Sequence, residues 1–390
     1  MIQDWLLEVG KGIAKVFLNP LLYWAIACIV LVGIKRIKEE RRNFGTKVYD
    51  VFTEWKDTWG FAIFIGLFFS VITIGVGMVI SYEVIFVLSI VTILVSLTSR
   101  FTLLSPTYTV GITFVVLMLI PLLASEINWL PSVGEVNFSV IAIILALFLF
   151  VEAHFLSRIR QNETFPGIVL GSRGTWIGRH MIKKFAIIPF FALVPSGLIE
   201  PFANYWPFLP IGGGDFALVL IPFVLGTEFA VRGSLPHEAA HQLAMKLLGL
   251  AVIVFVIAVG SIFYSWLAVV TVVVAILGRE FIHYRFRTKD QAKSPYFNHR
   301  NNGLTVLGVI PGSPADRLNI LIGEVVSKVN GVKIHSEDDL YEALQQTGSF
   351  FRVELLDHRG EIRFVQSALY EGDHHELGLL FAGEPYRKTK

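Results

Sequence analysis

The sequence predicts an α-helical polytopic membrane region followed by a small α+β domain at its C-terminal end. Of its 390 residues, 54% are hydrophobic and only 16% are charged, whereas soluble proteins average about 25% charged residues. The apolar residues are grouped in runs of roughly 20, the length that a bilayer-spanning helix needs. From about Asn301 onward the long apolar runs cease and short alternating segments begin.

The apolar runs define the candidate spans. Segment 84–98 is short for a complete crossing, and the last run is unusually long. We expect seven to nine helices within residues 1–278, depending on whether the short segment crosses fully and whether the long last run forms one helix or two. The candidate spans lie at 16–34, 60–80, 84–98, 107–124, 138–156, 185–199, 209–227 and 248–277.

The loops between these spans differ sharply in Lys and Arg content. Residues 35–59 hold seven and residues 157–184 hold six, whereas 81–83, 125–137 and 200–208 hold none. Because Lys and Arg are retained on the cytoplasmic side of a membrane, the two basic loops are predicted to be cytoplasmic. The sidedness alternates consistently from the second span to the seventh.

The run 248–277 is too long for one crossing. A helix of that length would extend about 45 Å, well beyond a hydrocarbon core of about 30 Å. A basic segment, 279–300, follows it and indicates a cytoplasmic end. We therefore predict a hairpin of two short helices broken near Gly260 and Ser261, then a juxtamembrane linker and a cytoplasmic domain over 301–383.

Turn and capping residues organise this last domain. Ser313 followed by Pro314 predicts the start of a short helix, and Asn330-Gly331 predicts a hairpin turn. Ser336 is a predicted N-cap for a helix through Gln346. In this order, the runs VLGVIPGSPADRLNI, GEVVSKVNGVKI and SEDDLYEALQQ resemble the bacterial PDZ domain, with Glu324 where that family usually has aspartate.

The resemblance implies a peptide-binding groove, but with permuted strand order. The carboxylate-binding strand is missing before Gly303, and the best match for it comes late, at Leu377, Gly378, Leu379 and Leu380. A peptide would add to this strand through main-chain hydrogen bonds. Leu340 and Leu344 of the preceding helix would line the groove; the alternative is that both are only core residues.

A second motif, His237-Glu238-Ala239-Ala240-His241, matches H-E-x-x-H. On a helix this spacing directs two imidazoles to one metal ion, with the glutamate activating its water. With membrane spans and a PDZ domain, it resembles the site-2 type of intramembrane zinc metalloprotease. In this alternative, Glu238 is the catalytic residue and His237 and His241 bind zinc.

Two features oppose the protease interpretation. That family takes a third ligand, an aspartate, from a membrane helix after its PDZ domain, and this sequence ends within ten residues of Phe381. The motif also falls in a predicted loop or short helix between spans. His154, Glu152 or His283 could complete a site, but we expect a chance match, no catalytic residue and no cofactor.

The overall layout and the opening run FLNPLLYWAIACIVLVGIKRIKEER resemble the MinJ family of cell-division topological factors. The resemblance implies a scaffold in the bacterial membrane, at the septum and poles, that links DivIVA-like and MinD-like proteins and other divisome membrane proteins. Apart from these, the lipid bilayer is the expected partner. A net charge of +2 does not favour nucleic acid, and polar residues within the spans are too few to favour a transporter or channel.

Overall fold

Eight α-helices begin before residue 279 in the described part of the chain. The computed structural model describes residues 2–124, 135–171, 174–212, 214–298, 303–346, 350–368 and 377–387. The helices are α1 (Ile2–Val16), α2 (Pro20–Phe44), α3 (Trp59–Val76), α4 (Tyr82–Ser96), α5 (Pro106–Ala124), α6 (Phe138–Ser157), α7 (Pro236–Gly260) and α8 (Trp266–Ala292).

Five of these helices, α2, α3, α6, α7 and α8, are long and apolar enough to cross a membrane. Helix α4 is also apolar but has only 15 residues, in line with the short predicted segment 84–98. The apolar part of α5, Pro106–Pro121, is likewise below the length of the five. By length and composition, this part of the chain is therefore a multi-pass membrane region.

The predicted break in 248–277 is confirmed, because α7 ends at Gly260 and α8 begins at Trp266. The prediction of two short helices is wrong. Helix α7 begins at Pro236, a residue favoured in the first helical turn, and reaches 25 residues, while α8 has 27. The hydrophobic run marked only the C-terminal half of α7 and the N-terminal half of α8. Helix α8 continues through Ala292, so helix replaces much of the predicted linker 279–300.

Two predicted helical spans are in fact strands. Segments 185–199 and 209–227 fall largely within β2 (Trp176–Ile199) and β3 (Phe216–Val231), which pair antiparallel, and β1 (Phe165–Leu170) pairs with the start of β2. Both faces of this hairpin are covered, so its strands read as continuous apolar runs that periodicity does not separate from helices. Pro189, Pro195 and Pro222 are the signals against helix.

Helix α3 satisfies the free edge of β2. The hydroxyl of Ser70 accepts the Phe191 amide at 2.8 Å, and the Thr73 hydroxyl donates to the Phe191 carbonyl at 2.6 Å. Pro189 has no backbone N–H that needs a partner. A Cβ at position 66 would lie 2.0 Å from the Pro189 carbonyl oxygen, so only glycine allows this close approach of α3 to β2. At Phe191, two hydroxyl groups of the helix therefore take the place of a neighbouring strand.

The hairpin is long enough to cross the hydrocarbon layer. Residues 185–194 extend over about 33 Å at the usual rise of a strand, against a hydrocarbon thickness of about 30 Å. Beyond the far end of α3, the Ile80 amide donates to the Leu193 carbonyl at 2.8 Å. The exposed apolar side chains of α3, such as Phe64 and Phe68, lie on its other face, where lipid is the expected neighbour.

A buried ion pair joins α6 to α8. Arg279 donates from Nη2 to Glu152 at 2.9 Å, and the two side chains are 1% and 0% exposed. Glu152 also accepts from the Ser105 hydroxyl at 2.6 Å, and the Arg279 guanidinium lies over the Tyr108 ring. Two charges in an apolar bundle are tolerated because each is paired and hydrogen-bonded.

The C-terminal domain contains a separate core and a five-stranded sheet. Its core includes the fully buried Val326, Phe351 and Leu355. The sheet runs β4-β6-β8-β9, with β7 paired to β6. Its elements are β4 (Leu304–Thr305), β5 (Gly308–Val309), α9 (Pro314–Arg317), β6 (Val325–Val329), β7 (Val332–Lys333), α10 (Glu337–Gln345), β8 (Phe350–Leu356), β9 (Ile362–Ala368) and β10 (Leu379–Leu380).

This domain is docked on the base of the membrane-region sheet. The Asn162 side chain donates to the Ile320 carbonyl and accepts the Ile322 amide, both at 3.0 Å. The Gly178 amide of β2 donates to the Phe297 carbonyl at 2.9 Å. These contacts use backbone groups and small side chains, so the two parts approach closely.

The first prediction concerns the buried ion pair. Glu152→Ala leaves Arg279 buried without its counter-charge, and we expect a loss of about 3–5 kcal/mol in unfolding free energy. Asp50→Ala is the control, because it removes an exposed ion pair with Lys47. Exposed ion pairs contribute only about 0–1 kcal/mol to the free energy of unfolding. Thermal unfolding of the detergent-purified full chain measures both; equal shifts would contradict the assigned role.

The second prediction concerns His180, which is fully buried where the two parts meet. Its Nδ1 lies 2.9 Å from the Thr164 hydroxyl and its ring packs against Phe297. Burial lowers the pKa of His180 to about 3. The unfolded chain, with a histidine pKa of about 6.5, therefore binds more protons in the range between the two values.

Stability contributed by neutral His180 is thus complete above the unfolded pKa and is lost as the pH falls. Between pH 7 and 5 the free energy of unfolding should decrease by up to about 1.4 kcal/mol per pH unit below the unfolded pKa. Unfolding of His180→Gln should be less pH-dependent, whereas the exposed-residue control His335→Gln should keep the full slope. The same slope in all three proteins would refute the prediction.

Candidate peptide-binding groove

The last strand of the C-terminal domain lies beside a strand near its start. β10 pairs antiparallel with β5, with Leu379 opposite Val309. The Leu307 amide donates to the Leu380 carbonyl at 2.7 Å, and the Ile310 amide donates to Gly378 at 2.9 Å. This confirms the permuted strand order. Among the described residues, no second strand pairs with β10, so its other edge forms no ladder hydrogen bonds.

A tight turn positions β10. Leu377 and Gly378 both have positive φ, at 57° and 77°, and the Leu377 carbonyl accepts the Ala315 amide at 3.0 Å. A Cβ on Gly378 would lie 2.3 Å from the Cβ of Ser313. Glycine is therefore required here both by backbone conformation and by space.

Helix α10 forms the opposite wall and is fixed at its start by a capping box. The Ser336 hydroxyl accepts the Asp339 amide at 3.1 Å, and the Asp339 carboxylate accepts the amides of His335 and Ser336, each at 2.9 Å. These hydrogen bonds from backbone amides, first from His335, hold the pKa of Asp339 below its usual value. The predicted N-cap is confirmed.

Between β10 and α10 lies a cavity of about 240 Å³, which we call the groove cavity. Only part of its wall belongs to the PDZ-like domain. Helix α2 and strand β1 of the membrane region supply another part, and the segment after β10 closes the remainder. The lining residues are Glu337, Leu340, Leu379, Leu380 and Phe381 of the domain, Asn43, Phe44 and Ile168 of the membrane region, and Gly383, Glu384 and Tyr386.

The segment after β10 is held by the end of α2. The Tyr386 amide donates to the Asn43 carbonyl and the Arg387 amide to the Arg42 carbonyl, both at 3.0 Å. These bonds use carbonyls of the last helical turn, which have no partner within the helix. The groove cavity is therefore a composite of both parts of the chain.

The predicted groove residues fall into two groups. Leu340, Leu379 and Leu380 line the groove cavity. Leu344 and Leu377 do not line it, and both are buried in the domain core, to which Leu340 and Leu379 also belong. Gly378 acts through its backbone. Their roles in peptide binding stay predictions. The contribution of α2 and β1 was missed, since no motif in their sequences indicates contact with a distant domain.

The H-E-x-x-H motif lies at the start of the 25-residue helix α7, and not in a loop or short helix between spans as predicted. His237 is partly buried, while Glu238 and His241 are exposed. The carboxylate of Glu152 is already engaged by Ser105 and Arg279. Within the described ranges, no three His, Cys, Asp or Glu side chains are grouped as a metal site requires, so zinc binding stays an untested alternative.

Known proteins resemble this chain both in its C-terminal domain and along its whole length. The family model described as "PDZ domain" matches residues 305–355. The cell division topological determinant MinJ of Bacillus subtilis (strain 168) is 34% identical over 383 residues, covering 98% of this chain and 96% of that protein. The chain belongs to the MinJ family. Probable MinJ proteins of Lacticaseibacillus paracasei and Lacticaseibacillus casei (strain BD-II) are 30% identical over 84 residues, 22% of this chain and 23% of each relative.

Membership of the MinJ family extends to both parts of the chain. The match with the Bacillus protein includes the membrane region as well as the PDZ domain, so their combination is a family property. The chain is thus a multi-pass membrane protein of cell-division topology with a C-terminal PDZ domain.

A third prediction tests the turn before β10. Gly378→Ala introduces both a strained positive φ and a clash with Ser313, whereas Gly360→Ala, at φ 82° with open space around its Cβ, introduces strain alone. Left-handed strain costs about 1–2 kcal/mol per residue, and overpacking adds about 1–3 kcal/mol. Hydrogen exchange should accelerate at the Leu307 and Ile310 amides in Gly378→Ala only; equal protection in both variants would contradict this.

Proposed function

We propose that this chain is a membrane-anchored scaffold that helps to place the division septum. The observation that carries the proposal is the near end-to-end similarity to a cell division topological determinant. The unpaired edge of β10 and the adjoining groove cavity supply the physical means, since an extended peptide that displaces the segment after β10 could add to the strand and direct a side chain into the cavity. No step of this role requires catalysis or a cofactor.

The docking of the PDZ domain supports a scaffold role. Asn162 bonds the domain at Ile320 and Ile322, and Gly178 of β2 lies against Leu307 of the domain. The end of α2 forms part of the groove wall. A partner peptide would therefore be held close to the bilayer in a fixed orientation. The basic loops 35–59 and 157–184 favour a cytoplasmic domain, where soluble division proteins can reach it.

The proposed partners follow from the resemblance to the MinJ family. They are DivIVA-like and MinD-like proteins together with membrane proteins of the division machinery, at the septum and poles of a bacterial cell. Contact with the first two would connect a polar marker to an inhibitor of division. The groove is suited to an extended segment of one partner, because strand addition uses main-chain groups and tolerates varied sequence.

Imaging in Bacillus subtilis cells that lack their own MinJ tests this proposal. A fluorescent fusion of the full chain should form foci at division sites and poles and restore normal cell length. Leu340→Ala should weaken both effects, because it removes an apolar wall of the groove cavity. Leu355→Ala is the matched control: it truncates a fully buried leucine of the same core, away from the groove.

Both truncations should cost about 2–5 kcal/mol of domain stability, so fusion levels in the membrane are measured in parallel. Diffuse membrane fluorescence of the unaltered chain would overturn the scaffold proposal. Equal loss of foci in the two leucine variants, at equal levels, would overturn the role of the groove.

The protease alternative is tested in the same cells. Glu238→Gln and His237→Ala should leave localisation and cell length unchanged, because the scaffold uses neither side chain. Loss of function in Glu238→Gln at normal protein level, together with stoichiometric zinc in the purified chain, would establish the protease interpretation instead.

A further inference from the structure

A second cavity, of about 450 Å³, lies on the side of the membrane region that carries the PDZ domain. We call it the basic cavity. Arginines from four separate elements converge on it: Arg100 before α5, Arg179 of β2, Arg232 after β3 and Arg287 of α8. A smaller neighbouring cavity of about 240 Å³ shares Arg100 and Arg179 and adds further basic side chains, Lys35, Arg36, Arg42 and Lys183.

The acidic side chains facing the basic cavity are already engaged. Glu228 lies 3.3 Å from the Lys183 ammonium and accepts the Phe101 amide at 2.8 Å. Asp290 accepts the backbone amides of Arg232 and Gly233, both at 3.0 Å. Within the described residues, none of the four converging arginines forms an ion pair with a carboxylate. The cavity therefore carries an excess of uncompensated positive charge.

Several polar atoms of this lining are also left without partners. The Nε atoms of Arg179 and Arg232 and the Nε2 atom of His283 are shielded from solvent and form no hydrogen bond with any described residue. Each unsatisfied arginine Nε–H donor costs about 1–3 kcal/mol when buried, whereas the role of His283 Nε2 depends on its tautomer. The two arginine donors are therefore available to an acceptor from outside the chain.

The chemistry of the lining indicates which acceptor. Guanidinium groups bind phosphate oxygens through paired, charge-assisted hydrogen bonds. Part of the remaining wall is apolar and includes Met181, Phe229 and Phe286, which suits a ligand with a charged end and an apolar end. Basic pockets of this kind at the membrane surface are suited to anionic lipid headgroups.

We propose that the basic cavity binds a phosphate group, carried by an anionic phospholipid headgroup or free in solution. Binding would join α8, β2 and the segment before α5, and so would stabilise the base on which the PDZ domain is docked. This inference is independent of the scaffold proposal, because it concerns a site in the membrane region and requires no protein partner.

The test uses the full chain, purified in detergent and freed of lipid, with thermal unfolding as the readout. Phosphatidylglycerol, phosphatidylcholine and inorganic phosphate are titrated separately. The variant is Arg100→Gln with Arg179→Gln. The control is Arg285→Gln with Lys289→Gln, which removes the same charge from exposed positions of α8 outside the cavity lining.

Phosphatidylglycerol should raise the unfolding temperature midpoint of the unaltered chain and of the control. The cavity variant should need at least about tenfold more lipid for the same shift, because it has lost hydrogen bonds to a charged group. An equal effect of inorganic phosphate would support the site with free phosphate as its ligand. Equal responses of variant and control, or an equal effect of phosphatidylcholine, would overturn it. If the double variant does not fold, the single variant Arg287→Gln is compared with the control Arg285→Gln in the same lipid titrations and judged by the same outcomes.

Discussion

The need to satisfy backbone hydrogen bonds in an apolar environment governs the membrane region. A strand edge exposed to lipid would leave amides and carbonyls without partners, at several kcal/mol each. Helix α3 prevents this along β2, where the Ser70 and Thr73 hydroxyls bond the two backbone groups of Phe191. Gly66 permits the close approach, and proline at 189 removes one donor. On the β2 edge of the hairpin, the backbone groups of Phe191 are therefore hydrogen-bonded although no strand lies beside them.

The hairpin in turn positions both candidate binding sites. Its base pairs with β1 and receives the PDZ domain through Gly178, while β1 and the end of α2 complete the groove cavity. On the other side of the same base, Arg179 faces the basic cavity. One sheet therefore contacts both the groove cavity and the arginines of the basic cavity.

Charged residues within the apolar bundle are used sparingly and in pairs. Glu152 and Arg279 neutralise each other between α6 and α8, and Arg36 of α2 forms ion pairs with both Glu40 and Glu54. Buried pairs contribute little net stability but penalise any packing that separates them. They are suited to specifying which helices are neighbours where nonspecific apolar contacts would tolerate several arrangements.

The sequence by itself determined the membrane region, the break between α7 and α8, and the PDZ domain with its permuted last strand. These depend on local signals: apolar length, turn residues such as Asn330-Gly331, and caps such as Ser336. Leu340 and Leu379 of the groove could be predicted from the same motifs. Only the tertiary structure decided that 185–199 and 209–227 are strands, because a segment covered on both faces loses the alternation that distinguishes strand from helix. The same holds for the groove wall from α2 and the convergence of Arg100, Arg179, Arg232 and Arg287, since contacts between distant segments leave no periodic trace in one sequence.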